Sequence, residues 1–293
     1  IEVRNINRLP GSISRYLNYS LGQNGYNETI LSSSESSAPA ISIEPDHEVS
    51  IHTLGHFNIQ SQDQNLSAVC KGQHKPIEML KALIALGGKD VGEMRLCEAL
   101  WPDTDGDIAH SAFSVTLHRL RKLTGHKAME LNDSRLTLNP DYCWVDAWVC
   151  EHLLNLCNRS LSSRHVDKKL AMSCIESAMH LYHGPFLGNE DEQPWYIMYR
   201  QRLHSKMLRS LLTMCANLEA SNYSDHALDL YQKGIELEPL AEEFYYRLMR
   251  RLAKLDRKAE AILVFLRCQK IFQTSIGVNP SRVTESLYKT LLN

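Results

Sequence analysis

Several features are missing from this 293-residue chain, and each absence removes a class of function. No apolar run approaches the roughly 18 residues that cross a bilayer, and no charged-then-apolar opening marks a signal peptide. A soluble, cytoplasmic protein with no membrane partner is therefore expected. The phosphate-cradling GxxxxGK[ST], the dinucleotide-binding GxGxxG and the nucleophile elbow GxSxG are all lacking. Neither an enzyme nor a cofactor is expected, and no residue is assigned a catalytic role. Eight cysteines, at 70, 97, 143, 150, 157, 174, 215 and 268, contain no CxxC pair. With the thirteen histidines they form no complete Cys/His set of a zinc site, so no metal is expected. Most lie in apolar helical patterns and read as buried free thiols of a reducing compartment. Cys143, Cys150 and Cys157, seven apart, read as one inward face of a helix. Excess charge of one sign is lacking too: 32 Lys and Arg against 34 Asp and Glu give −2. The whole chain thus makes no electrostatic case for nucleic acid.

What is present has a clear order. The chain begins at Ile1 rather than Met and is read as a piece of a longer protein or a processed one. Residues 1–48, with the Ser-rich LSSSESSAPAISIEP, read as linker or the end of an upstream region. The alternating VSIHTLGHFNIQ predicts a strand, and LSAVCKG at 66–72 a second. PIEMLKALIALGG predicts a helix with Pro76 near its first turn and a Gly87–Gly88 stop. A second helix is expected over about 91–100, and a third over about 107–124 closed by Gly125. AMELNDSRLTLNPDYCWV then predicts a hairpin around Asn132-Asp133-Ser134. Strands, three helices and a hairpin are the order of a winged helix. From Asp146 the pattern is helical throughout. Ala227 and Ala261 stand 34 residues apart in matching segments, which is the tetratricopeptide period, with alanine where two helices approach closely.

Chemistry concentrates in ALWPDTDGDIAHSAFSVTLHRLRKL, residues 99–123. Its acids do not make a calcium loop. Counted from Asp103, the glycine falls at position 4 instead of 6, and position 12 is Ser114 instead of Glu. Asp105 or Asp107 instead reads as a cap for the third helix. On a helical wheel Phe113, Leu117 and Leu120 share one side with Ala109 and Leu123. Ser111, Val115, His118 and Lys122 share the other, flanked by Ser114 and Arg119. No acid falls between Asp107 and Glu130, while Arg119, Arg121, Lys122 and Lys127 do. Such a face suits a DNA major groove, about 12 Å wide. A solvated face on an ordinary amphipathic helix is the other reading. The acidic GNEDEQPWY reads as a helix start with Pro194 in the first turn rather than a carboxylate pair. The four tryptophans read as packing.

The segments KPIEMLKALIAL, EALWPD, SAFSVTLHRLRKLTG and LNDSRLTLNPDYCWVD together resemble the OmpR-type winged helix, in particular the SARP-type bacterial regulators. HLYHGPFLGNEDEQPWYIMYRQRL, ALDLYQKGIELEPLAEEFYYRLMRRLAKLDRKAEAILVFLRCQKIF and IGVNPSRVTESLYKTLL resemble the bacterial transcriptional activator domain. The resemblance covers about residues 50–293 and implies an α+β winged helix-turn-helix over 49–145, followed by an all-α tetratricopeptide-like helical repeat domain over 146–293. It implies a sequence-specific DNA-binding transcriptional regulator, an activator, whose helix 107–124 reads the major groove and whose wing 129–138 enters the minor groove. Ser111, Ser114, His118, Arg119 and Lys122 become the expected groove or phosphate contacts, with Arg121 towards the side of the helix. In the wing Arg135 is expected in the minor groove and Asn132 or Ser134 on phosphate. The implied partners are double-stranded DNA, RNA polymerase, and either a second copy or an upstream sensory domain. The contrasting reading is a tetratricopeptide-type interaction scaffold whose winged helix does not bind DNA independently. The near-neutral balance of residues 50–145, ten Lys and Arg against eleven Asp and Glu, favours that contrast.

Overall fold

The computed structural model describes residues 47–61, 64–65, 73–163, 166–221 and 224–292. Most of the expected linker, Cys70 and the strand expected at 66–72 lie outside the described residues. The chain divides into two compact units. One holds the described residues up to Asn155 together with Glu176–His204; the other holds Leu156–Ile175 and the chain from Ser205 onward.

In the first unit the alternating VSIHTLGHFNIQ forms two strands rather than one, β1 (Val49–His52) and β2 (Asn58–Ser61). They pair antiparallel, with Ile51 opposite Ile59, because the chain turns back through Gly55 at φ 89°. β3 (Gln64–Asn65) extends the meander on the far side of β2. Val49, Ile51 and Ile59 are the buried members of the alternation. Downstream, β7 (Cys143–Val145) runs parallel to β1, with Val49 opposite Cys143 and Ile51 opposite Val145.

Asp146, the first residue of α4 (Asp146–Ser162), locks this join. Its buried carboxylate accepts the Thr53 amide at 2.7 Å, the Thr53 hydroxyl at 2.6 Å and the Leu54 amide at 2.9 Å. Burial pushes the Asp146 carboxyl above its ordinary value and the nearby His52 below its own. The three donors aimed at Asp146 oppose the first shift. Cys143 therefore lies on β7, while Cys150 and Cys157 are buried on α4. The three do not share one helix face, because the helix begins only at Asp146.

Three helices follow the meander: α1 (His74–Ala85), α2 (Glu93–Leu100) and α3 (Gly106–Thr124). α1 packs against both of the others, and its Met79, Leu80, Leu83 and Ile84 are fully buried. The second helix starts two residues later than its pattern suggests. Val91 and Gly92 form a short strand, β4 (Val91–Gly92), because their backbone is taken by the hairpin. That hairpin is β5 (Met129–Asn132) and β6 (Arg135–Leu138), giving a three-stranded wing in the order β4-β6-β5.

The remaining piece of this unit includes the later part of α5 (Lys168–Leu181) and the start of α6 (Pro194–Glu219). The loop between them folds back on the end of β1. Leu187 donates its amide to the Thr53 carbonyl at 2.8 Å, and Gly55 donates to Pro185 at 3.0 Å. Arg200 braces the loop from Nε to the Phe186 carbonyl at 2.7 Å. Two acids of the run before Pro194 form ion pairs, Glu190 with Lys81 and Glu192 with Arg200.

The second unit is helical among its described residues. α7 (Ser224–Leu237), α8 (Glu242–Lys254), α9 (Lys258–Ile276) and α10 (Arg282–Leu292) pack in sequence, with α10 also reaching α8. Ala227 and Ala261, the matched alanines, are both fully buried. Gly234 lets the Phe244 ring approach: a Cβ there would stand 2.2 Å from Phe244 Cε1. The Tyr231 hydroxyl donates to Glu219 at 2.7 Å, and the Phe265 and Tyr288 rings stack 4.1 Å apart. Glu242 accepts the Ser281 amide at 2.9 Å and its hydroxyl at 2.6 Å, which caps the start of α10.

Candidate nucleic-acid interface

α3 is two-faced. Ala109, Phe113, Thr116, Leu117 and Leu120 are buried towards the unit's core, and Leu123 is half-buried. Ser111, Ser114, Val115, His118, Arg119 and Lys122 are all exposed. Within the described residues the side chains of Ser111, Ser114, His118, Arg119 and Lys122 make no hydrogen bond or ion pair. Their donors are not taken up by any described residue, and Arg119 makes no salt bridge with a described acid. Ile108 belongs to the same exposed face and was not among the expected residues. The 108, 111, 115 spacing was the signal that would have found it.

The start of the helix differs from the expected cap. Asp105 occupies the N-cap position, yet its side chain makes no capping hydrogen bond, and Asp107 sits in the first turn. These acids act through charge against the helix dipole rather than through a bond. His110 pairs with Glu93, tying the first turns of α3 to the first residue of α2.

The wing tip is a two-residue turn with Asp133 at φ 47° and Ser134 at φ 56°. Two residues with positive φ give the turn whose twist matches a hairpin. Asn132, Ser134 and Arg135 are exposed at this end. Two of the expected cations are partly engaged by the protein itself. Arg121 is half-buried and donates to the Met129 carbonyl at 3.2 Å, so it braces the helix against the wing. Arg135 donates to the Asp90 carbonyl at 3.2 Å but stays at the surface. Of the nine expected residues, α3 brings five onto one free face; the wing presents three, and Arg121 stands between the two groups.

Among the described residues no group of three His, Cys, Asp or Glu side chains is placed to hold a metal ion. His52 and His56 are four apart, but one ends β1 and the other lies in the turn after it. The His52 ring packs 5.2 Å from that of Trp144. No helix among the described residues is long and apolar enough to cross a membrane.

A winged helix preceded by a small sheet, then an all-helical array of packed helix pairs, defines the class: an α+β winged helix-turn-helix with a tetratricopeptide-like helical domain. Residues 145–292 match the bacterial transcriptional activator domain. The chain belongs to that family of transcriptional regulators, and its two-part architecture is of the SARP type. No curated protein matches its sequence. Among solved structures, Mycobacterium tuberculosis EmbR, in complex with a low-affinity phosphopeptide, is similar in fold. The TM-score is 0.61 at 16% identity, over 84% of this chain and 65% of that one. This chain therefore spans just under two thirds of the length of that relative.

Proposed function

We propose that this regulator binds double-stranded DNA in a sequence-specific way and activates transcription, with α3 in the major groove and the β5–β6 wing at the minor groove. One observation carries the reading. Ser111, Ser114, His118, Arg119 and Lys122 are exposed together on a helix whose opposite face is core, and none is engaged by the described residues. Hydroxyls, an imidazole and two cations are the donor set that base edges and phosphates accept. Asn132, Ser134 and Arg135 supply the wing contacts. Arg121 supports the interface by holding the Met129 carbonyl.

The acids at the start of α3 oppose phosphate there, so the phosphate contacts fall towards Arg119 and Lys122. With so few cations one copy binds weakly. A second copy, a sensory region elsewhere in the protein or RNA polymerase beside the site adds what one interface lacks. The near-neutral balance of residues 50–145 supports the second reading, an interaction scaffold built on the helical repeats, and the same experiment separates the two.

Binding to promoter-region DNA is measured across a salt series for the native chain, for Arg119→Ala with Lys122→Ala, and for Arg121→Ala. The double variant is expected to lose affinity and to flatten the log–log salt slope by about 2, one unit for each phosphate contact removed. Arg121→Ala is expected to keep the slope and to lose about 1 kcal/mol of stability with its hydrogen bond. Absence of salt-dependent binding at low ionic strength, or an unchanged slope in the double variant, overturns the DNA-binding reading.

A further inference from the structure

Two large apolar side chains stand on the free face of α3. Ile108 is 63% exposed and Val115 is 52% exposed. Neither holds the helix to its unit, because Ala109, Phe113, Leu117 and Leu120 already do so from the other side. They are seven residues apart, two helical turns, with Ser111 between them on the same face. At 1.5 Å per residue this is about 10 Å along the helix. Base pairs rise about 3.4 Å each, so the same span covers about three of them.

The chemistry of this half of the helix is restrictive. From Gly106 to His118 there is no lysine or arginine, and the first cation is Arg119. The usual recognition of guanine, a bidentate cation on O6 and N7, is therefore absent from the first three turns. Ser111 and Ser114 offer hydroxyls that accept any base as partner. The thymine C5-methyl is the one apolar group that the major groove displays, and it is the natural complement of an exposed aliphatic side chain. The acids Asp105 and Asp107 keep phosphate away from this end, which removes the alternative that the helix start is an anion site.

The geometry points to Ile108 and Val115 as specificity-determining residues that seat on the C5-methyl groups of two thymines about three base pairs apart. The recognised site is then A·T-rich under the first half of α3 and anchored through phosphate or guanine under Arg119 and Lys122. This rests on the DNA-binding reading above and says which bases that reading selects.

The test uses the full chain. Bound duplexes are selected from a random library, and the preferred site is resynthesised with deoxyuridine replacing thymine one position at a time. Deoxyuridine keeps the base pair and removes only the methyl. At two positions about three base pairs apart the native chain is expected to lose about fourfold in affinity per methyl, the value of one buried methyl group. Val115→Ser is expected to abolish the methyl effect at one position and Ile108→Ser at the other. Both residues are exposed, so each variant keeps its fold, which the unchanged thermal transition verifies. Salt-dependent binding that is indifferent to deoxyuridine at every position, or equal methyl sensitivity in both variants, overturns this inference and leaves DNA binding intact. No salt-dependent binding by the native chain overturns both.

Discussion

The Glu93 amide donates to the Ser134 carbonyl at 2.8 Å, fastening the tip of the wing to the first residue of α2. The wing is therefore a fixed edge of the unit, and its outermost residue is held from behind. Glu93 also pairs with His110 on α3, so one residue links the second helix to both proposed DNA-facing elements.

Ser134 sits at φ 56°, a conformation that costs an L side chain about 1–2 kcal/mol and glycine almost nothing. Its bond to Glu93 uses the backbone, which any residue supplies. Ser134→Gly is expected to raise stability by about 0.5–1 kcal/mol after the added entropy of the unfolded chain is subtracted. Loss of the hydroxyl is expected to weaken DNA binding at the same time. Urea denaturation reads the first effect and the salt-series binding assay reads the second; a fall in stability contradicts the backbone argument.

In the helical repeats, Gly234→Ala sets two effects against each other. Alanine favours a helix interior by up to about 1 kcal/mol. Its methyl, however, falls 2.2 Å from Cε1 of the fully buried Phe244, and an aromatic ring packed on all sides moves only with its neighbours. Overpacking of this kind costs about 1–3 kcal/mol, so the variant is expected to be less stable, with a thermal midpoint several degrees lower. A midpoint equal to or above the native one contradicts that packing.

The cysteines give a pH-dependent outcome. All seven described cysteines are buried as free thiols. Burial pushes Cys143, Cys157, Cys174, Cys215 and Cys268 from an ordinary 9.0 up to about 12. Above about pH 9 the unfolded chain releases these protons while the native chain keeps them. Their contribution to stability is therefore complete below pH 9 and is lost as the pH rises towards 12. At pH 8 a thiol-alkylating reagent is expected to label at most one cysteine per native chain, with Cys70 outside the described residues, and eight after denaturation. A second native label contradicts the burial of the other seven.

Elements with strong local pattern are legible in the chain alone. The third helix, the hairpin around Asp133-Ser134, the Gly87–Gly88 stop and the 34-residue helical period are carried by neighbours in the chain, whose spacing decides which side chains share a face. The free face of α3 was legible for that reason, down to Ser111, Ser114, His118, Arg119 and Lys122. Features that depend on partners far along the chain are set by packing instead. Val91 and Gly92 have a helical context but became a strand because Arg135 and Leu136 claim their backbone groups. β7 lies parallel to β1, and Asp146 caps the end of that strand from 93 residues away. Arg121 and Arg119 are two residues apart with the same chemistry, yet one is drawn to the Met129 carbonyl and the other meets no partner among the described residues. A periodicity fixes the direction in which a side chain points from its own helix. Which hydrogen-bonding groups it then meets is set by the packing of the whole unit.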